Sequence, residues 1–167
     1  MGYFHEIEVS LKNESTFRNL NLNLPRELKG LEADINALGV DLADALVDFR
    51  DLSVEDLSET SKSYQKNAIM DLNAIQSKNL LQSISVMDKD TGFARVGTNV
   101  EYAQYVNEGR GPVVPIHAKA LHYFHNGMEI FSKRSGPADP KPYFENASNK
   151  FEVYVDKFSD TYLGDLV

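Results

Sequence analysis

The sequence predicts an α+β fold, an antiparallel sheet of about four to five strands packed against long N-terminal helices and a C-terminal helix. Three observations predict it. Apolar residues recur every three or four positions from Leu28 to Phe49, the period of a helix with one buried face. Two alternating apolar segments flank Asn126-Gly127, the preferred centre of a two-residue hairpin turn. A last amphipathic run, Phe144 to Phe158, follows a proline-rich segment. A strand, two long helices, a four-strand meander broken by a helical turn and a last helix give an α+β layout with an antiparallel sheet.

Taken in order, YFHEIEVSL (3–11) alternates loosely and reads as a strand. NESTFRNLNLNLP (13–25) has the composition of a connector. Pro25 suits a first helical position. Beyond it Leu28, Leu31, Ile35, Leu38, Leu42, Ala45 and Phe49 form one stripe, with Asp34, Asp41, Asp44 and Asp48 off it. The stripe spans too few heptads for a coiled-coil seam and is expected to pack on its own domain. Gly30 and Gly39 weaken this helix by ~1 kcal/mol each. Ser53 and Asp56, in SVED, resemble a capping box and predict a second helix over about 54–71.

DLNAIQSKNLL holds a short third helix or turn. SISVMD (83–88) reads as a strand, Asp90-Thr91-Gly92 as a turn, and FARVGT as the returning partner. YAQYV (102–106) gives one or two helical turns that Gly109 ends. In LHYFHNGMEIFS, Leu121, Tyr123, Met128 and Ile130 supply the faces of a hairpin. SGPADPKP excludes regular structure. A final helix over 142–162 carries Phe144, Ala147, Phe151, Tyr154, Val155 and Phe158 on one face.

A chain of 167 residues fits a single domain and can bury a core without staples. It has no cysteine, so disulfides and thiolate metal sites are excluded, which suits assembly in a reducing cytoplasm. No apolar run approaches the ~20 residues that span a bilayer. MGYFHEIEVSLK lacks the basic start and apolar centre of a signal peptide and is expected in the mature protein. The net charge of −8 lies in the first 60 residues, which hold thirteen acidic and five basic residues, against twelve of each afterwards. An acidic face repels phosphates, so tight DNA binding is not expected. A wall past which DNA slides remains compatible.

The densest stretch is VGTNVEYAQYVNEGRGP (96–112). It has neither GxGxxG spacing nor a Walker lysine, and Gly109-Arg110-Gly111 follows a helical turn instead of opening one, so no phosphate cradle is predicted. His122 and His125, three apart in a strand, point to opposite faces, and His117 sits in a loop. No metal or cofactor is predicted. No serine lies in a GxSxG elbow. Glu101 and Glu108 could pair as acid and base, but no apolar surroundings in the sequence raise a carboxyl pKa. The prediction is therefore a non-enzyme. A small hydrolase or nucleic-acid-processing enzyme using Glu101, Glu108 and His117 is the alternative from another class.

Several segments together bring a family into view: Val96-Gly97-Thr98, then Tyr102-Ala103-x-Tyr105-Val106, Glu108-Gly109-Arg110-Gly111, Ala118-Lys119-Ala120-Leu121, the basic Lys133, and Pro140-x-Pro142-Tyr143-Phe144, with Leu81-Gln82-Ser83-Ile84 ahead of them. In order and spacing, over about residues 80–150, they resemble the tail-component family typified by gene product 10 of bacteriophage HK97. Two segments depart from that pattern: QSKNLLQSI replaces an Ala-Pro-x-Asp-Thr-Gly approach, and Gly136-Pro137 reverses a Pro-Gly.

The resemblance implies a structural virion protein of a tailed phage, made in the host bacterial cytoplasm and placed at the neck. It would be a neck or tail-completion component, with a tail terminator as the alternative. Its partners would be further copies of itself in a ring, six-fold to match the tail, a head-closure or connector protein, and a tail terminator or tail tube protein. DNA would pass through without sequence-specific binding, and no membrane is involved. Under this reading Gly97 lets the strand end and the chain turn closely. The candidate subunit or ring contacts are Tyr102, Tyr105, Glu108, Arg110, Pro112, Pro115, Lys133, Arg134, Lys141 and Tyr143. Arg110 projects a charge that can pair with a carboxylate across a subunit boundary.

Overall fold

The alternation in FARVGT sorts one strand into two faces, and the sheet is built round it. Strand β1 (Tyr3–Glu8) pairs with one edge of β3 (Phe93–Thr98), and β2 (Ser85–Asp90) with the other, all antiparallel. These come from a computed structural model that describes residues 3–11, 14–20, 25–74, 78–125 and 127–162. Ala94, Val96 and Thr98 are fully buried. Arg95 points the other way, 2.8 Å from Glu6 of β1 and 3.1 Å from Asp88 of β2. A cation between two cross-strand carboxylates favours this register, although such exposed pairs add little net stability. Gly97 lies inside β3, opposite Phe4, where a Cβ would overlap the Tyr3 carbonyl oxygen. It permits close strand approach; it does not end the strand.

One helix replaces the two that the sequence suggested. A single 3-10 turn at Arg26–Leu28 leads into α2 (Lys29–Asp71). Ser53 lies in its middle, buried, and donates its hydroxyl to the Phe49 carbonyl at 2.7 Å. That intrahelical bond satisfies the group that looked like a cap, and no proline or glycine interrupts the helix there.

The two halves of α2 have different surroundings. From Ser53 onward its buried side chains, among them Val54, Leu57, Ala68 and Ile69, join cores completed by Ile7 and Val96 of the sheet and by Ala147 and Phe151 of α5 (Tyr143–Tyr162). Before Ser53 only Gly39 and Ala43 are buried. The predicted stripe packs on its own domain only in part: Ile35 and Phe49 are half-buried, while Leu28, Leu31, Leu38 and Leu42 stay exposed. The neighbour on this half is α1 (Glu14–Arg18), five residues long, formed within the expected connector. The segment approaches α2 at Gly39, where a Cβ would lie 2.5 Å from the Phe17 carbonyl oxygen. Gly39 sits roughly a quarter turn round the helix from the leucines. Arg18 adds an ion pair to Asp44 at 2.6 Å.

After α2 come α3 (Lys78–Ser83) and, following β3, α4 (Ala103–Glu108). Strands β4 (Leu121–His125) and β5 (Met128–Ser132) form a separate two-stranded sheet. The expected single sheet of four or five strands is thus divided three and two, because the chain leaves β3 through α4 and a glycine-proline loop. His125 pairs with Met128, and Gly127 has φ +76°, as a two-residue turn requires; Asn126 lies outside the described residues. So do residues 21–24 of the expected connector and 75–77 of the expected third helix. The face predicted for the last helix is the one that packs: Ala147 and Phe151 are buried and Tyr154, Val155 and Phe158 partly so.

The two glycines of α2 give opposite expectations. Nothing lies within 4 Å of a Cβ at Gly30, so Gly30→Ala is expected to stabilise the protein by ~1 kcal/mol in urea unfolding. Gly39→Ala should destabilise it by displacing the chain around Phe17. Equal gains from both would show that no such close approach exists.

Candidate assembly interface

Helix α4 is too short to persist alone and is fixed by its inner face. Ala103 and Asn107, four apart, are buried, while Tyr102 and Tyr105 face outward and are exposed. Asn107 drew no attention in the sequence, yet it joins two elements. Its side-chain oxygen accepts the Phe144 amide at 3.1 Å, and its amide group donates to Glu145 Oε1 at 2.9 Å. The residues ahead of α5 are Pro140, Lys141 and Pro142, none with a capping oxygen. Asn107 supplies that acceptor from another element. The missing local cap was the signal that could have found it.

Glu108, the next residue, accepts the Tyr3 hydroxyl at 2.5 Å and the Gln104 side-chain amide at 3.0 Å. The Tyr3 bond first, and then Gln104, hold its carboxyl below the usual glutamate range. A general acid or base working near neutrality needs the opposite shift.

Gly109 then turns the chain with φ +77°, and a Cβ there would lie 2.7 Å from the Ala138 carbonyl oxygen. From this point the chain runs outward and returns. Arg110 and Ala138 exchange two backbone hydrogen bonds, at 3.0 and 2.9 Å, and Val113 and Ser135 two more, at 3.1 and 2.8 Å. Residues 110–138 are therefore one arm, closed at its base and carrying the β4–β5 hairpin. The Arg110 guanidinium lies inside that base, donating to Ser135 Oγ at 3.0 Å and toward the Gly136 carbonyl at 3.4 Å. It braces the arm within its own chain.

Not one described side chain between Arg110 and Ala138 is buried. Ile116 is 85% exposed, Phe124 69%, Phe131 66% and Met128 64%. On one hairpin face His122 stacks on Phe131, with ring centroids 4.7 Å apart and planes 11° from parallel, and its Nε2 lies 2.7 Å from Glu129 Oε1. The two strands pair with each other, and no other described helix or strand packs extensively along them. A lone hairpin is marginal in water, and its exposed apolar side chains, Phe124 and Phe131 on one face and Met128 on the other, make it a candidate interaction site.

No protein-family model, curated protein or solved structure matches the chain.

Four of the ten candidate residues, Tyr102, Tyr105, Arg110 and Lys141, line one open cleft of about 490 Å³ at the base of the arm, with Pro137 to Asp139 opposite. Lys141 is partly engaged there, its ammonium bonded to the Asn73 carbonyl. Pro112 and Pro115 lie on the outgoing side of the arm and Lys133 and Arg134 on the return. Tyr143 is the exception. It is fully buried, with its ring 6.3 Å from that of Tyr3, and belongs to the core of its own copy. Glu101 and His117 are exposed. The side chain of His125 lies outside the described residues. Among the described residues no three histidine or carboxylate groups are placed to hold a metal ion.

A second polar joint went unread in the sequence. His5 of β1 lies between Ser61 of α2 and Ser148 of α5, each ring nitrogen 2.7 Å from a hydroxyl. Ser148 donates to the Phe144 carbonyl at 2.9 Å, so its oxygen accepts from His5 Nε2–H. Nδ1 is then the acceptor of the Ser61 hydroxyl. The ring stacks on Phe151 at 5.5 Å. Burial pushes the imidazole pKa down to about 4 from 6.5, so the folded protein holds it neutral. Between those values the unfolded chain binds the proton and the folded one does not. Its contribution to stability is present in full above pH 6.5 and is lost as pH falls toward 4. His5→Phe should flatten that part of the unfolding-against-pH curve relative to wild type; an unchanged slope would show that His5 titrates normally.

Proposed function

We propose that this chain is a structural protein of a tailed-bacteriophage virion, a neck or tail-completion component that forms a ring round the DNA channel between head connector and tail. One observation carries the reading: an arm of the chain, 110–138, is held by its own backbone yet buries none of its described side chains. An apolar arm of this kind suits a protein whose fold is completed by neighbours. The segments that resemble the phage tail-component family also run through it, from Val96-Gly97-Thr98 of β3 by way of α4 and the arm to Pro142-Tyr143-Phe144 at the start of α5.

The chemistry supports assembly over turnover. Glu108 is held ionised by its hydrogen bonds, and Arg110 is committed to the base of the arm. The acidic first third of the chain suits a surface past which DNA slides without being gripped. No described helix is long and apolar enough to cross a membrane. The ring, six-fold to match a tail, would need a head-to-tail interface that closes.

A conditional null of the gene in its phage tests the reading by electron microscopy of the lysate. Filled heads and finished tails that fail to join are expected. Tails of uncontrolled length would assign the chain as a terminator instead, and normal infectious particles would remove it from the virion altogether.

A further inference from the structure

We propose that the arm of one copy lies along the leucine face of α2 in the next copy, joining copies head to tail. The proposal deepens the ring reading and shares with it one premise, that the chain associates with itself. Both surfaces are left open by the fold. On the first half of α2, Leu31, Leu38 and Leu42 are exposed on one face, Leu38 at 66%. On the arm, Ile116, Phe124 and Phe131 are exposed to a similar or greater degree. Within one copy the hairpin does not pack extensively on α2.

Charge selects this pairing over the symmetric ones. From Lys29 to Leu52 the helix carries six carboxylates and two cations, and the arm carries four cations and one carboxylate. Arg18 and Arg50 engage Asp44 and Asp51 within the copy. Lys133 and Arg134, exposed at the foot of β5, are placed to meet the acidic flank. Packing α2 on α2, or arm on arm, would set like charges face to face, which disfavours both pairings. The sizes agree as well. Leu28 to Leu42 covers ~21 Å of helix at ~1.5 Å per residue, and each hairpin strand covers ~17 Å at ~3.4 Å per residue. Because the two surfaces differ, the contact is heterologous, and every copy offers one of each.

The absence of cysteine makes cross-linking a direct test. Leu38→Cys and Phe124→Cys are combined in one chain, oxidised mildly at the highest soluble concentration, and run on a non-reducing gel. A ladder extending past the dimer is expected from the double variant. A mixture of the two single variants should stop at dimer, and each single alone should stay monomeric. Dimers from Leu38→Cys alone would show α2 seated on α2. Dimers from Phe124→Cys alone would show arm on arm. No ladder from the double variant would overturn the proposal outright. Circular dichroism matching wild type qualifies each variant as folded, and Leu42→Cys with Phe131→Cys replaces a pair that is not. A ladder from a chain missing from particles would leave the interface standing and remove the virion role. A neck location without the 38–124 link would do the reverse.

Discussion

Four backbone hydrogen bonds close the arm at its base, two between Arg110 and Ala138 and two between Val113 and Ser135. Everything distinctive about this protein depends on that closure. Backbone pairing satisfies donors and acceptors along an excursion of chain, but the net gain per bond is only ~1 kcal/mol. It buries no apolar surface by itself, and burial is the dominant favourable term in folding and association. In the arm the two have been separated: the hydrogen bonds are made within the chain, and none of the described side chains is fully buried. On the proposed reading a second molecule supplies the missing burial.

The body of the molecule shows the opposite arrangement. There, side-chain hydrogen bonds tie one element to the next. Asn107 caps α5 from α4, the Tyr3 hydroxyl ties β1 to Glu108 of α4, and His5 bridges α2 and α5 from β1. These bonds fix the angle between the sheet, α4 and α5. The arm emerges directly from the last residue of α4 by way of Gly109, so the same bonds aim it. Gly109 itself combines a left-handed turn with contact against Ala138, and a side chain there would be strained on both counts. The direction in which the arm leaves the body is thereby set by the core.

Much of the architecture could be read from residue order. The 3.6-residue period of α5, the Asn126-Gly127 hairpin signal and the turn at Gly92 each rest on local chemistry, and local chemistry survives in the fold. What failed depended on partners distant in sequence. The leucine stripe of α2 was correctly placed on one face, but periodicity cannot say whether the covering surface belongs to the same chain. Ser53 looked like a helix start because its hydroxyl has two uses, and only the long helix around it decides between them. Tyr143 entered the candidate contacts through the family resemblance; it is buried in a core drawn from α2, α3, α4 and α5, with Tyr3 of β1 against its ring. The roles of Asn107 and His5 are tertiary throughout, so composition and spacing gave them no mark.

Amide hydrogen–deuterium exchange tests the central claim most directly, since it reports how firmly each segment is held. In dilute protein the amides of β4 and β5 should exchange far faster than those of β3 and α5, and should become protected once the protein is assembled with its neighbours. Protection of the hairpin equal to that of β3 in the isolated chain would mean that the arm is complete on its own, and its dependence on a second molecule would be refuted.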